Sequence, residues 1–135
     1  MEASKLREFA ARYTVAWCSR EPSRVAEFFS PNGSLRVNDA APAVGRAAIA
    51  EIARGFMDAF PDLQLNMDNL LIRGDRAVYH WTFAGTNTGL GGTGKSVRFS
   101  GSEEWTFGED GLIAESLGHF DESDYRRQLE HGWSA

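Results

Sequence analysis

With 135 residues, 42% hydrophobic and 24% charged, the chain is too apolar to stay disordered. It can bury roughly 65–70% of its unfolded surface around one core, so residues 1–135 read as a single domain. A formal net charge of -5, from 14 Lys and Arg against 19 Asp and Glu, excludes the clustered basic face that nucleic-acid phosphates need. The single cysteine, Cys18, excludes an internal disulfide, and nothing around it has metal-ligand spacing.

The start, Met1-Glu2-Ala3-Ser4-Lys5, lacks the cationic and apolar segments of a secretory leader, and no apolar run approaches the ~20 residues of a membrane span. A cytoplasmic protein with no membrane partner is expected. Ser4 can cap a first helix whose apolar positions Leu6, Phe9, Ala10, Tyr13 and Trp17 follow helical spacing. Pro22 suits the first turn of a short second helix carrying Val25, Phe28 and Phe29, which Pro31-Asn32-Gly33 should stop. A strand over Ser34–Val37 and a loop over Asn38–Pro42 follow. Gly45-Arg46 then opens a third helix with Ile49, Ile52, Ala53, Phe56 and Phe60 on one face, ended by Pro61.

After residue 61 the texture changes. Leu63, Leu65 and Met67 alternate with polar residues, Arg73-Gly74-Asp75-Arg76 is a turn, and Ala77–Gly85 is rich in β-branched and aromatic side chains, which together predict a hairpin. A loop over Thr86–Gly94 precedes a long strand, Val97–Phe107. Gly108-Glu109-Asp110-Gly111 turns the chain into a last strand, Leu112–Phe120. The glycines of Gly89–Gly94 are not a dinucleotide loop, because a strand and not a helix follows them. Asp121 or Ser123 can cap a final helix through Tyr125 and Leu129. Helices first and an antiparallel meander second define an α+β fold, and such a sheet curled around its helices leaves an apolar pocket at the open end.

In this second half, Gly85-Thr86-Asn87-Thr88-Gly89, Thr93-Gly94-Lys95, Asp110-Gly111-Leu112-Ile113 and Arg127-Gln128-Leu129 occur in the order and spacing of motifs in one family. The chain resembles the SnoaL-like polyketide cyclases of the nuclear transport factor 2-like superfamily. Gly45-Arg46-Ala47-Ala48-Ile49 also matches a common superfamily segment. The resemblance implies a cone-shaped curved antiparallel sheet around N-terminal helices, a homodimer, and a pocket for a small apolar molecule. It also implies an intramolecular aldol step without metal or organic cofactor. That chemistry takes a base for a proton alpha to a carbonyl and a donor for the developing enolate oxygen.

The titratable pair of the resembled family is missing from its places. Counted from Asp110-Gly111, the catalytic Asp of the last strand falls at Gly118, and the His of the Gly-Thr-His element is Asn87, which donates a hydrogen bond but exchanges no proton near neutral pH. Three other residues are candidates for acid/base work. His80 lies mid-strand between Tyr79 and Trp81, facing either the pocket or a partner chain, as a structural or a catalytic imidazole. Glu103 becomes a base with a raised pKa if it shares the inner face with Phe99, Gly101 and Trp105; otherwise it is solvated or ion-paired. Asp121 can take the role if the last strand carries a shift, or simply cap the last helix. Ligand-binding candidates are Tyr13 and Trp17 on the helix that closes the pocket, Asn38 at its rim, Phe60, Asn87 and Trp105. These residues leave two readings open: an acid/base enzyme on an apolar carbonyl compound, or a non-catalytic ligand-binding or dimerisation domain.

Overall fold

Six residues of the first helix, α1 (Ala3–Cys18), are buried along one stripe: Leu6, Phe9, Ala10, Tyr13, Ala16 and Trp17, the face that helical spacing assigns to the core. The computed structural model, which describes residues 2–134, starts this helix before Ser4. The Ser4 hydroxyl is therefore not its cap and donates instead to the Glu2 carboxylate at 2.9 Å. The short helix α2 (Pro22–Ala26) opens on proline as expected but ends before Phe28.

The first strand, β1 (Phe29–Val37), takes in the Pro31-Asn32-Gly33 segment that reads as a stop. The reason is local: its register against the last strand shifts between Phe29 and Ser34, and a bulge accommodates a proline that has no N–H for the ladder. A two-residue strand, β2 (Ala43–Val44), pairs with β1 inside the region read as loop. Helix α3 (Arg46–Ala59) buries Ile49, Ala53 and Met57. The strands β3 (Gln64–Arg73), β4 (Arg76–Thr86), β5 (Ser96–Phe107) and β6 (Ile113–Phe120) form the meander, and α4 (Glu122–His131) follows.

The six strands form one curved, unclosed sheet in the order β2-β1-β6-β5-β4-β3, antiparallel throughout except where β1 runs parallel to β6. Helix α1 packs on β3, and α3 packs on β1 and α2. Alternation along β4 sends Tyr79, Trp81 and Phe83 into the core, and their ladder partners on β5 are Glu103, Gly101 and Phe99. Directly paired residues share a sheet face, so Glu103 stands on the inner face, a carboxylate in an aromatic row.

The pairing of β5 with β6 matches large with small. Trp105 faces Ser116, Glu103 faces Gly118, and Gly101 faces Phe120. Each glycine leaves room for the side chain across from it. A Cβ at Gly101 would lie 2.3 Å from the His119 carbonyl oxygen and 2.6 Å from the Trp81 ring.

Candidate active site

The carboxylate of Glu103 is fully enclosed and accepts three hydrogen bonds on one oxygen. Oε1 takes the Ser116 hydroxyl at 2.7 Å, the Tyr13 phenol at 2.9 Å and the Trp105 indole N–H at 3.1 Å. Oε2 receives only a second, longer contact from the Tyr13 hydroxyl, at 3.1 Å. The elements explain the convergence. Tyr13 comes from the buried stripe of α1, Trp105 lies two residues along the same face of β5, and Ser116 sits on β6 beside Gly118.

Burial raises the Glu103 pKa above the ordinary carboxylate value, and the hydrogen bonds from Ser116, Trp105 and Tyr13 oppose that rise. The same neighbourhood lifts the Tyr13 phenol well above its usual range, through burial first and the nearby carboxylate second. Tyr13 is therefore a fixed donor at physiological pH. Tyr79, raised mainly by burial, stacks on Trp105 at 4.8 Å and holds Thr14 through its hydroxyl. The Thr14 hydroxyl donates to the Ala10 carbonyl at 2.9 Å, which leaves the Tyr79 phenol as the donor in that pair.

Beside Glu103 opens a cavity of about 60 Å³. Its walls are Trp17 from α1, Leu35 and Val37 from β1, Ile52 and Phe56 from α3, Leu65 from β3, and Trp81, Phe83, Phe99, Gly118 and Phe120 from the sheet. Glu103 is the one titratable side chain among these lining residues. A Cβ at Gly118 would sit 4.0 Å from the Glu103 Cγ, so the glutamate and the bare glycine share one space across the β5–β6 ladder. The Trp17 indole nitrogen is buried with no hydrogen-bond partner.

The other expected site residues lie elsewhere. His80 alternates with the buried Tyr79 and Trp81 and so stands on the opposite sheet face, paired with Ser102 and Asn69. Asp121 caps α4 by accepting the Asp124 N–H at 3.0 Å. The β5–β6 register shift lies between Thr106 and Phe107, at the far end from Asp121, so no bulge carries Asp121 inward. Asn87 ties the β4–β5 loop to the end of α3, donating to the Ala59 carbonyl at 3.1 Å and accepting the Thr93 N–H at 2.8 Å. Phe60 packs behind the cavity wall against Phe83, with ring centres 5.1 Å apart.

Asn38 lies at a shallow outer groove with Asp39, His119, Phe120, Asp121, Glu122 and Ser123. Its backbone is left-handed at φ 52°, and its side-chain oxygen accepts the Phe120 N–H at 2.9 Å. Phe120 borders both this groove and the inner cavity. Sequence reasoning missed Ser116, although a serine two residues before Gly118, on the inward side of an apolar strand, is the available signal for a polar partner. Among the described residues, no group of three or more His, Cys, Asp or Glu is placed to hold a metal ion, and no helix is long and apolar enough to cross a membrane.

The architecture places the protein among folds of the ketosteroid isomerase type. TsrD from Streptomyces laurentii has a similar structure, with a TM-score of 0.82 at 22% identity over 96% of this chain and 97% of that one. A protein with a ketosteroid isomerase-like fold from Catenulispora acidiphila, solved with trimethylamine, gives 0.81 at 14% identity over 95% and 98%. TerC, co-crystallized with polyporic acid, gives 0.76 at 16% over 92% and 97%. At such identities the likeness concerns the fold. No curated protein matches the chain. The profile of the SnoaL-like polyketide cyclase family matches residues 7–129, and the chain belongs to that family.

Proposed function

We propose that this SnoaL-like protein binds a small, largely apolar carbonyl compound in the cavity beside Glu103 and that Glu103 is its acid/base. The observation that carries the reading is a fully buried carboxylate at the wall of an apolar cavity, held on Oε1 by three donors, with Oε2 contacted only by the longer Tyr13 bond. A base needs an available lone pair, a raised pKa and a fixed orientation, and Glu103 combines them.

In the proposed step the Glu103 carboxylate takes a proton from the carbon alpha to the carbonyl and becomes a carboxylic acid. The enolate then either attacks a second carbonyl of the same molecule, forming a carbon–carbon bond, or takes the proton back at another carbon. In the first case the new alkoxide receives the proton from Glu103; in both, the carboxylate is regenerated and nothing is lost. These are cofactor-independent cyclase-type and isomerase-type reactions. The cavity is smaller than the ~150 Å³ that accommodates benzene, so only one end of a larger ligand enters unless a wall moves.

A non-catalytic ligand-binding domain is the second reading. It is favoured by Gly118 and Asn87 standing where the resembled cyclases carry their titratable pair. The small molecules held by TerC and by the Catenulispora protein support a ligand in either reading. Both readings extend to a cytoplasmic homodimer, in which the outer sheet face carrying the half-exposed Leu71 would meet a second copy; light scattering at two concentrations tests this.

The deciding experiment is a thermal-shift screen of ketones and diketones followed by product analysis with wild type and Glu103→Gln. We expect turnover by wild type, and binding without turnover by the variant. Full turnover by Glu103→Gln removes the assigned role, and ligands recovered unchanged from wild type establish the binding-domain reading.

A further inference from the structure

The side chains lining the cavity are aliphatic or aromatic except for Glu103, whose Oε1 is engaged by three donors. The deep walls Leu35, Leu65, Phe83 and Phe99 are buried, whereas Val37, Ile52, Phe56 and Phe120 are only half-buried. These four mark the mouth, where the ends of β1 and β6 meet α3. Part-exposed apolar side chains around an apolar opening are surface that a hydrocarbon covers favourably. The outer groove starts at the same place: Asn38 follows Val37, and Phe120 borders both spaces. The Phe120 ring is thus the divide between them. Its backbone is pinned, since its N–H donates to Asn38 Oδ1 at 2.9 Å and the Asn38 N–H donates to the Gly118 carbonyl at 2.9 Å. Its ladder partner Gly101 presents no side chain, and its aromatic neighbours are Trp81, Phe99 and Tyr125.

The two spaces differ in chemistry. The groove offers the Ser123 hydroxyl and the His119 imidazole as hydrogen-bonding groups, and the carboxylates of Asp39, Asp121 and Glu122 make it unfavourable for an anion. We propose that cavity and groove are the two halves of one site. The ligand is an uncharged amphiphile that inserts a hydrocarbon end into the cavity and leaves its carbonyl or hydroxyl end in the groove, and the Phe120 ring sets the size of the end admitted. The inference rests on the ligand-pocket reading above and adds the ligand's orientation and the residue that limits its bulk. In the acid/base reading, the carbon that yields its proton is the one on the inner side of the carbonyl. A cavity of about 60 Å³ takes a branched alkyl end, whereas benzene occupies ~150 Å³. A phenyl end therefore enters only when the Phe120 ring gives way.

The test uses the full-length chain labelled with nitrogen-15 and reads amide shifts during titration with matched compounds. 5-Methyl-2-hexanone carries an isopropyl end, benzylacetone has phenyl in its place, and 4-methylpentanoate has a carboxylate in place of the methyl ketone. Cyclopentane, with no polar end, reports the cavity alone. Wild type is expected to bind 5-methyl-2-hexanone and cyclopentane, and to bind the carboxylate about tenfold more weakly than the ketone. Phe120→Ala should shift the ratio of dissociation constants toward benzylacetone by about tenfold or more. Ser123→Trp, at an exposed position, fills the groove and should weaken both ketones by about tenfold while sparing cyclopentane. Equal binding of the carboxylate, an unchanged ketone ratio in Phe120→Ala, or full ketone affinity in Ser123→Trp overturns the two-part site, while cyclopentane binding keeps the pocket. If neither the ketones nor cyclopentane bind at millimolar concentration, the pocket reading falls and this proposal with it. Should Phe120→Ala not fold, Phe120→Leu decides on the same ratio, with a smaller shift in the same direction.

Discussion

Tyr13 and Glu103 are ninety positions apart and meet in a bond that sets the electrostatics of the cavity. The phenol donates to a carboxylate that burial would otherwise push further toward its neutral form. Tyr13→Phe keeps the ring packing and deletes the hydrogen bond. A hydrogen bond to a charged group contributes about 1.5–3 kcal/mol, against about 1 for neutral partners. The variant should therefore lose up to about 2 kcal/mol at pH 8, where a larger share of the carboxylate is charged, and less at pH 4. Denaturant melts at the two pH values check this, and equal losses would count against it. The Glu103 pKa should also rise further, moving any pH–rate profile toward alkali. Gly118→Asp is a complementary probe, since it places a second carboxyl where the built Cβ lies 4.0 Å from Glu103 Cγ. Two carboxylates in one apolar space cannot both ionise readily. The single variant should be destabilised by about 2 kcal/mol or more at pH 8, and adding Glu103→Gln should recover part of that loss in a double-mutant cycle.

At the scale of elements, the β5–β6 ladder decides whether the cavity exists. Its large-small pairs place Trp81 and Phe120 as walls over Gly101. A methyl group at Gly101 would meet the His119 carbonyl oxygen at 2.3 Å, and backbone cannot step aside as a flexible side chain can. Gly101→Ala is expected to cost about 3 kcal/mol or more, read as a lower melting temperature by circular dichroism. An unchanged melting temperature would contradict the pairing. Periodicity made these strands readable, because alternation in Tyr79, Trp81 and Phe83 needs no tertiary information. It also put Glu103 conditionally on the inner face with Phe99 and Trp105. Ladder register was beyond it, since nothing local says that residue 103 sits opposite residue 118, and that pairing brings the glutamate into the space left by Gly118. The start of β1 was hidden for a related reason: Pro31-Asn32-Gly33 is turn chemistry, and only the bulged pairing with β6 makes it strand. Asp121 was readable as a cap from its position alone. His80 had two open faces until α1 covered one side of the sheet.

For the whole molecule, Glu103 links the proposed chemistry to the pH dependence of folding. A carboxyl whose folded pKa lies above its ordinary value of 4.5 binds its proton more tightly folded than unfolded. Its contribution is therefore complete below about pH 4.5 and declines as pH rises through the folded value. Asp62 has the opposite sign. The Thr86 backbone N–H, at 2.7 Å, holds its pKa below 3.8, so its contribution is present above that value and is lost as pH falls below it. Replacing Glu103 by Gln removes the first slope and leaves the second. The amide keeps an oxygen for Tyr13, Trp105 and Ser116, but it turns an N–H₂ group toward an apolar cavity at a cost of about 1–2 kcal/mol. The informative quantity is therefore the slope between pH 5 and pH 8 and not the absolute stability. Over that range the wild-type melting temperature should fall relative to that of Glu103→Gln, narrowing the gap or reversing it. Staying at or below pH 8 keeps the buried phenols Tyr13 and Tyr79 neutral in both proteins, so the difference belongs to residue 103. Parallel curves would mean that Glu103 titrates near its ordinary value despite its burial, and the protein would then lack a carboxyl tuned to exchange protons near neutral pH.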